Sequence, residues 1–436
     1  MNFSFFIAKK IAFSKGQSFS RFIIKIAIGA VALSMAVMII STSLINGFQQ
    51  TISDKVFGFW SHVVIMPYGL QEDLNTKPIS TEIDIYQHPE NYEGVRHIQK
   101  TALKAGIMHA KEDFDGIILK GVGNDFDWSS FQDFLVKGAI FETTETKKNK
   151  SILISESTAN RLQLDIDDKI IISFFADRGK VRKRNFVVSG IYKSGLEEFD
   201  KQYALIDIGV IQYLNNWEAN EVGGYEIFVA ADNLFNSKLK TYFLYLFGSF
   251  LPEDFLQDWA RDPLQKIGDD LYFQIDSDLK SETIRENKPD LFNWLELQTI
   301  NEIVILAIML LVAAFNMITA LLILILERTN MIGILKALGA QAHQLKKVFL
   351  FNGAIIIITG IVLGNIFGLG ICLLQDLTHF IKLPEESYYI AYAPIKIDWL
   401  WVFILNIFTL ITSVVFLMLP AILVSKIKPI KAIKFS

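Results

Sequence analysis

Six histidines, His62, His88, His97, His109, His343 and His379, are the residues best suited to hold a metal or move a proton near neutral pH. Their spacing serves neither task. No H-E-x-x-H or comparable pair occurs, and His88 and His97 stand nine positions apart across a Pro-Glu-Asn turn, where a solvated loop is expected. The single cysteine, Cys372, lies in an apolar stretch, so an intramolecular disulfide, a thiolate metal cluster and a CxxC redox pair are all excluded. It reads as a small packed hydrophobe. A G-x-x-x-x-G-K-[ST] phosphate loop and a G-x-S-x-G nucleophile turn are absent as well. Carboxylates are plentiful, but no pair stands out in an apolar setting. The sequence thus describes a chain that is not an enzyme and binds no cofactor, and any energy it uses must come from another subunit.

The elements that would position functional residues are set by hydropathy. The chain has 436 residues, 51% of them hydrophobic and 20% charged, with a mean hydropathy of +0.34. Such a balance requires apolar residues in blocks, the profile of a membrane protein with a sizeable aqueous domain. Four runs have the length and low charge of a membrane span: Ile26 to Ile45, Ile303 to Leu326, Val348 to Gln375 and Trp399 to Val424. The first lacks a convincing cleavage site and reads as an uncleaved anchor. Before it, Phe3, Phe5, Phe6, Ile7, Ile11 and Phe13 with interspersed lysines fit an amphipathic helix on a membrane surface. Trp399 and Trp401 open the last run as an interfacial belt would.

The expected division is therefore a cytoplasmic N-terminal segment 1–25, a first span 26–47, an outer domain 48–300, a second span 301–326 and a short loop 327–347. A third span 348–375, an outer loop 376–398, a fourth span 399–424 and a tail 425–436 complete it. Positive charge orients the chain. Lys9, Lys10, Lys15, Arg21 and Lys25 precede the first span, the 327–347 loop carries Arg328, Lys336, Lys346 and Lys347, and the tail carries Lys426, Lys428, Lys431 and Lys434. Loop 376–398 offers only Lys382 and Lys396 against four carboxylates. Both termini are thus expected in the cytoplasm, with the large domain outside. That domain takes most of the acidic residues, which argues against nucleic acid as a partner.

Within the third span Gly360, Gly364 and Gly368 recur every four residues, a small-residue face that admits a close neighbour, from this chain or from a second copy. Asn316 and Asn365 are polar groups in spans, expected to hydrogen-bond between helices. The outer segment alternates strand-like and helix-like stretches, an α+β pattern. Candidate strands are His62 to Met66, Gly116 to Lys120, Ser151 to Ile154, Lys169 to Phe175, Asn185 to Ile191 and Glu226 to Val229. Residues 169–175 and 185–191 read as a hairpin whose basic tip holds Asp177, Arg178, Gly179 and Lys180. Ser155 opens a helix to Leu164.

The stretch from Glu327 through Arg328, Thr329, Asn330, Met331, Ile332, Gly333, Ile334, Leu335, Lys336, Ala337 and Leu338 to Gly339 resembles the signature loop of the FtsX/MacB-type permease superfamily. Asn46-Gly47-Phe48, Ser61-His62-Val63, Leu311 to Ile318, Leu383 to Ile390 and the Lys428-Pro429-Ile430-Lys431 ending are similar to its lipoprotein-releasing (Lol-type) branch. The resemblance implies an α-helical membrane protein with four transmembrane helices plus a large α+β extracytoplasmic MacB-like domain, divided into porter and sabre subdomains, the sabre inserted at about 123–212. It also implies a function: an ABC transporter permease of the bacterial inner membrane that extracts lipoproteins from the outer leaflet and passes them to a periplasmic carrier. The family alternatives are a MacB-like efflux or mechanotransmission permease and an FtsX-like regulator of cell-wall hydrolases.

The implied partners are a P-loop ATPase subunit acting as a dimer and using ATP and Mg, a second permease copy or paralogue, a lipoprotein substrate, membrane lipids and a periplasmic lipoprotein chaperone. The family's chaperone-recruiting member has a longer, proline-containing hook at the hairpin tip; the shorter tip here fits a substrate-binding paralogue or half of a homodimer. Coupling to the ATPase falls on Glu327, Arg328, Ile332, Gly333, Leu335, Lys336, Leu338 and Gly339, with Ile332, Leu335 and Leu338 forming one apolar side and Gly339 ending the helix. For a cavity that takes the lipid anchor, the outer halves of the first two spans supply Met38, Ile39, Ser43, Ile305 and Ile308.

Overall fold

The computed structural model describes residues 18–68, 77–110, 113–146, 149–175, 181–230, 262–384 and 388–422. The segment before residue 18, the hairpin tip Asp177, Arg178, Gly179 and Lys180, and the tail 425–436 lie outside the described residues. The chain divides into two units, one of Met1–Thr51, Leu295–Leu383 and Ala391–Ser436, the other of Ile52–Trp294 and Pro384–Ile390.

Helix α1 runs from Ser18 to Phe59. The strands that follow are β1 (Val63–Pro67), β2 (Ile79–Ser80), β3 (Val95–Ala110), β4 (Asp113–Val122), β5 (Leu135–Gly138) and β6 (Ser151–Ser155). Helix α2 (Glu156–Leu162) starts where Ser155 Oγ accepts the Thr158 amide at 3.1 Å. Then come β7 (Lys169–Phe175), β8 (Val181–Tyr192), α3 (Glu197–Gln202), β9 (Tyr203–Asp207), α4 (Ile208–Asn215), β10 (Glu221–Val222) and β11 (Gly224–Val229). Helix α5 (Pro263–Gln274) and β12 (Leu279–Thr283) lead into α6 (Pro289–Glu327), α7 (Thr329–Ala337), α8 (Ala342–Thr378) and α9 (Trp399–Ala421). Four of these helices, α1, α6, α8 and α9, are long and apolar enough to cross a membrane.

Two of the four far exceed the apolar runs inside them. α1 has 42 residues and α6 has 39, about 60 Å each at about 1.5 Å per residue, roughly twice a hydrocarbon core. α1 continues past residue 47, the expected end of the first span. Asn46 is buried, and Gly47 takes the place it does because a Cβ there would strike the backbone of Pro394. Gln49 then donates to Thr299 Oγ1 at 2.7 Å and to Leu295 O at 3.3 Å, tying α1 to the start of α6 within the first unit.

The glycine row of α8 faces α1. A Cβ at Gly360 would meet Val31 at 2.7 Å, at Gly364 the Met35 Cβ at 2.6 Å and the Ala32 carbonyl oxygen at 2.7 Å, and at Gly368 the Ala36 Cα at 3.0 Å. The row is therefore an intramolecular contact, not one held open for a second copy. α8 and α9 are joined by a reciprocal amide pair, Asn365 Nδ2 to Asn406 Oδ1 at 2.6 Å and Asn406 Nδ2 to Asn365 Oδ1 at 3.1 Å. Asn365 thus makes the interhelical bond its type suggested, whereas Asn316 is only half-buried. Trp401 is buried and Trp399 exposed.

The second unit is built on a ten-stranded sheet among the described residues. The candidate strands all appear, displaced by at most a few residues, and β7 keeps the expected bounds. What alternation could not show is how they close. β3 pairs antiparallel with β4, β4 parallel with β9, β9 antiparallel with β6, β6 parallel with β8, β8 antiparallel with β7, and β7 antiparallel with β3. Six strands thus make a ring, filled by Leu119, Ile152, Ile172, Phe174, Phe186, Val188 and Ile206, all buried and on one face of the register. Gly106 on β3 leaves room for Ile172, whose Cγ2 would lie 2.8 Å from a Cβ there. β11, β1 and β12 extend the sheet from β3, and β5 extends it from β8.

His62, between α1 and β1, carries a pH consequence. Its ring lies 4.2 Å from that of Phe57, and its Nδ1 accepts the Val229 amide at 3.1 Å. Burial, with a smaller contribution from the Arg96 charge, lowers its pKa from 6.5 to about 4. A protonated ring would present a second N–H to the Val229 donor. The unfolded chain therefore binds the proton between pH 6.5 and about 4 and the folded chain does not, so stability falls as pH drops through that window. Its expected share is about 3 kcal/mol. Unfolding midpoints measured from pH 7 to 4 should fall less steeply in His62→Asn, whose Oδ1 can stand where Nδ1 stands; equal slopes would refute the assignment.

Candidate functional site

The loop singled out by sequence forms α7, a nine-residue helix held between two long ones. At its start Thr329 Oγ1 donates to the Leu326 carbonyl at 2.7 Å, tying it to the last turn of α6. At its end the Leu338 amide donates to Ile334 O at 3.0 Å and the Ala340 amide to Leu335 O at 2.9 Å. Gly339 sits at φ +94°, which a residue with a Cβ resists, and so stops the helix. Gln341 and Gln344 then bond reciprocally as a capping box that starts α8. No free linker remains between α6 and α8.

The faces of α7 correct one expectation. Ile332, fully buried, belongs to a core with Leu321, Leu324, Ile325, Leu345 and Phe349, and Met331 and Leu335 pack against it. Gly333 is buried too. Leu338, by contrast, is 80% exposed and Ile334 47%. Six helical residues turn the chain about 600°, which leaves positions 332 and 338 about 120° apart around the helix, the first on the core side and the second outside it. The outward apolar pair is Ile334 with Leu338, at i and i+4. Ile334 was not among the expected coupling residues, although its spacing from Leu338 could have found it. Lys336 is half-buried, and desolvation lowers the pKa of its ammonium. Glu327 and Arg328 are also half-buried, and Glu327 Oε2 and Arg328 Nε find no hydrogen-bond partner among the described residues.

The expected cavity residues separate into two groups. Met38, Ile39 and Ser43 are buried inside the first unit, with Ile39 against Gly368 of α8. Ile305 is half-buried, and Ile308 is exposed. Ile308 falls in a row the sequence reading did not pick out: Leu297, Val304, Ile308, Leu311 and Phe315, all exposed, at the three-and-four spacing of a helical seam.

In the second unit the last turn of α1 enters an aromatic socket. The Phe59 ring stacks on Phe199 at 5.6 Å and 9°, and meets Tyr192 at 5.9 Å, Tyr203 at 5.8 Å and Phe131 at 6.4 Å. Trp60 stands edge-on to Tyr203 at 5.1 Å. These rings come from β8, α3, β9 and the segment before β5, so no spacing in the sequence announces them. Burial raises the pKa of the Tyr203 phenol to about 12 and pushes that of Tyr192 up as well, which keeps both neutral. Nearby, Lys55 Nζ donates to the Tyr389 carbonyl at 2.8 Å.

Residues 303–429 match the FtsX-like permease C-terminal family, and residues 26–236 match the MacB-like periplasmic core domain. The chain is similar over nearly its whole length to curated proteins. It is 23% identical to the lipoprotein-releasing system transmembrane protein LolC of Xylella fastidiosa, over 96% of this chain and 95% of that one. It is 23% identical to LolC of Haemophilus influenzae, over all of both chains, and 22% identical to LolE of the same organism, over 98% of each. Among solved structures, the extracellular domain of the ABC-type transporter YknZ from Gram-positive bacteria covers 51% of this chain and 99% of its own, with 12% identity and a TM-score of 0.29. The periplasmic region of MacB from Actinobacillus actinomycetemcomitans covers 55% and 96%, with 11% identity and a TM-score of 0.31.

Proposed function

We propose that this chain, a member of the FtsX/MacB-like permease superfamily, is the membrane subunit of an ABC transporter that lifts lipoproteins out of the inner membrane. In this reading both termini and α7 face the cytoplasm, and the sheet-bearing unit faces the periplasm. A separate P-loop ATPase, using ATP and Mg, docks on α7. The observation that carries it is the face arrangement of α7: Ile332 locks the helix into the core, while Ile334 and Leu338 stand exposed on the far side. An apolar pair on a firmly held short helix suits a groove on a partner, and whatever moves that helix also moves α6 and α8. The near end-to-end likeness to proteins named as lipoprotein-releasing supports the choice of cargo.

The physics of the cargo limits the mechanism. A triacylated anchor has roughly 45 methylenes, and at about 0.8 kcal/mol each its transfer into water costs tens of kcal/mol. The anchor must therefore pass along apolar surface. The exposed seam of α6 offers such a surface, shared between acyl chains and a second permease copy or paralogue. Met38, Ile39 and Ser43 would shape that cavity from behind, because they are already covered by α8 or its neighbours. From there the lipoprotein goes to a periplasmic carrier or chaperone, and ATP-driven movement of α7 supplies the work.

Purification of the full chain from its own membranes in mild detergent, followed by mass spectrometry, tests this. A P-loop ATPase subunit and a triacylated protein should copurify. A chain recovered without either, from membranes that contain both, would overturn the reading.

A further inference from the structure

Lys120 on β4 is 1% exposed and Glu226 on β11 is 2% exposed, in side-chain terms, and neither belongs to the coupling helix or the lipid-facing seam. Their ammonium and carboxylate lie 2.7 Å apart. A buried pair of this kind adds little net stability, because desolvating both charges offsets their attraction. Its position says more than its energy. Lys120 Nζ also donates to the Phe59 carbonyl at 2.8 Å, and Phe59 is the last residue of α1. The final carbonyls of a helix have no partner within it and carry its negative pole, so a buried cation there is well matched. The remaining side of the ammonium faces rings, with Trp60 at 5.0 Å, Phe59 at 5.3 Å and Phe126 at 5.7 Å.

The anchorage continues across the sheet. Glu226 accepts from Gln99 Nε2 at 2.7 Å, and Gln99 is its register partner on β3. Gln99 Oε1 in turn accepts the Asp127 amide at 3.0 Å. The end of α1 is thus held through side chains of three adjacent strands, β4, β3 and β11, two of them in the closed ring and the third bordering it. Aromatic packing alone permits sliding; hydrogen bonds from a buried charge to a backbone oxygen do not.

We propose that Lys120 is a positioning residue that pins the C-terminal end of α1 to the sheet and thereby passes displacement of that helix to the outer domain. This rests on the permease reading for its functional consequence. The pin itself rests on the geometry of one unit.

The test compares the full chain, assembled with its ATPase subunit, as wild type, as Lys120→Met with Glu226→Gln, and as Lys120→Arg. The double variant removes both charges together, so no buried ion is left unpaired, and the amide oxygen introduced at position 226 can still accept from Gln99. It should assemble and hydrolyse ATP as wild type does, while lipoprotein released per ATP falls about tenfold, the size expected for one lost charge-assisted hydrogen bond. Hydrogen exchange of amides 56–60 should quicken by a similar factor. Lys120→Arg keeps a cation that can reach both oxygens and should restore most of the coupling. Wild-type release and exchange in the double variant would overturn the proposal, as would an arginine variant as defective as the double one. If the wild-type complex releases no lipoprotein, the permease reading falls, and the exchange measurement alone decides whether Lys120 pins the helix.

Discussion

Replacing Ile334 and Leu338 together by aspartate should abolish capture of the ATPase subunit and leave the permease itself folded. Each side chain contributes about 1.5–3 kcal/mol when it is fully buried against a partner. Losing both, and placing two carboxylates in an apolar groove, should weaken binding by at least about a hundredfold, where each 1.4 kcal/mol is tenfold. The fold should tolerate the change because both residues face away from the core. Ile332→Ala is the informative contrast: that side chain is fully buried, so its truncation should destabilise the chain by about 2–5 kcal/mol. Copurification yield and thermal unfolding, measured side by side, separate the two effects. If Ile334→Asp with Leu338→Asp binds the ATPase subunit as tightly as wild type, α7 is not the docking element.

The second large effect is expected at Gly364. A leucine there would drive its Cβ to 2.6 Å from Met35 Cβ and 2.7 Å from the Ala32 carbonyl oxygen, the latter a backbone atom that cannot rotate aside. Overpacking commonly costs about 1–3 kcal/mol, and forcing two helices apart should exceed that range. Gly370→Leu is the control, since nothing lies within 4 Å of a Cβ at that position. Detergent-solubilised Gly364→Leu should aggregate or unfold well below the wild-type temperature, and Gly370→Leu should not. Equal stability of the two would mean that the glycine row is not a packing face.

Much of this architecture was legible in the sequence, where local physics decides. The four apolar runs marked the membrane-spanning candidates, and alternation located β6, β7 and β11 to within a few residues. Ser155 marked the start of α2 by its own hydrogen bond, and Gly339 marked the end of α7 by its backbone angle. The rest depends on partners distant in sequence. β3 was not among the candidate strands; Lys100, Lys104 and Gly106 interrupt its β-branched residues, and it is held extended by β11, β4 and β7, which pair with it. The reason for a glycine at position 47 is visible only when Pro394 is seen against it. Gly360, Gly364 and Gly368 announced a close neighbour but not which one.

The candidate site divides in the same way. Glu327 to Gly339 could be singled out by its resemblance to a family signature loop, but the apolar side of α7 could not, since the core claims Ile332 and leaves Ile334 and Leu338 outside. Lys120 and Glu226 are 106 positions apart, and nothing near either residue indicates that both are buried. The socket around Phe59 is assembled from elements that meet only after the sheet has formed.

A strand on the rim of an ordinary sheet can be peeled away one bond at a time, but the six strands that close on one another offer no rim from which to begin. Each member would have to part from two neighbours at once. A pull on this piece therefore meets a hoop, and the hoop should hold its shape up to a threshold and then give way in a single event. If the proposed stroke reaches one side of the hoop, little of it should be lost before the other.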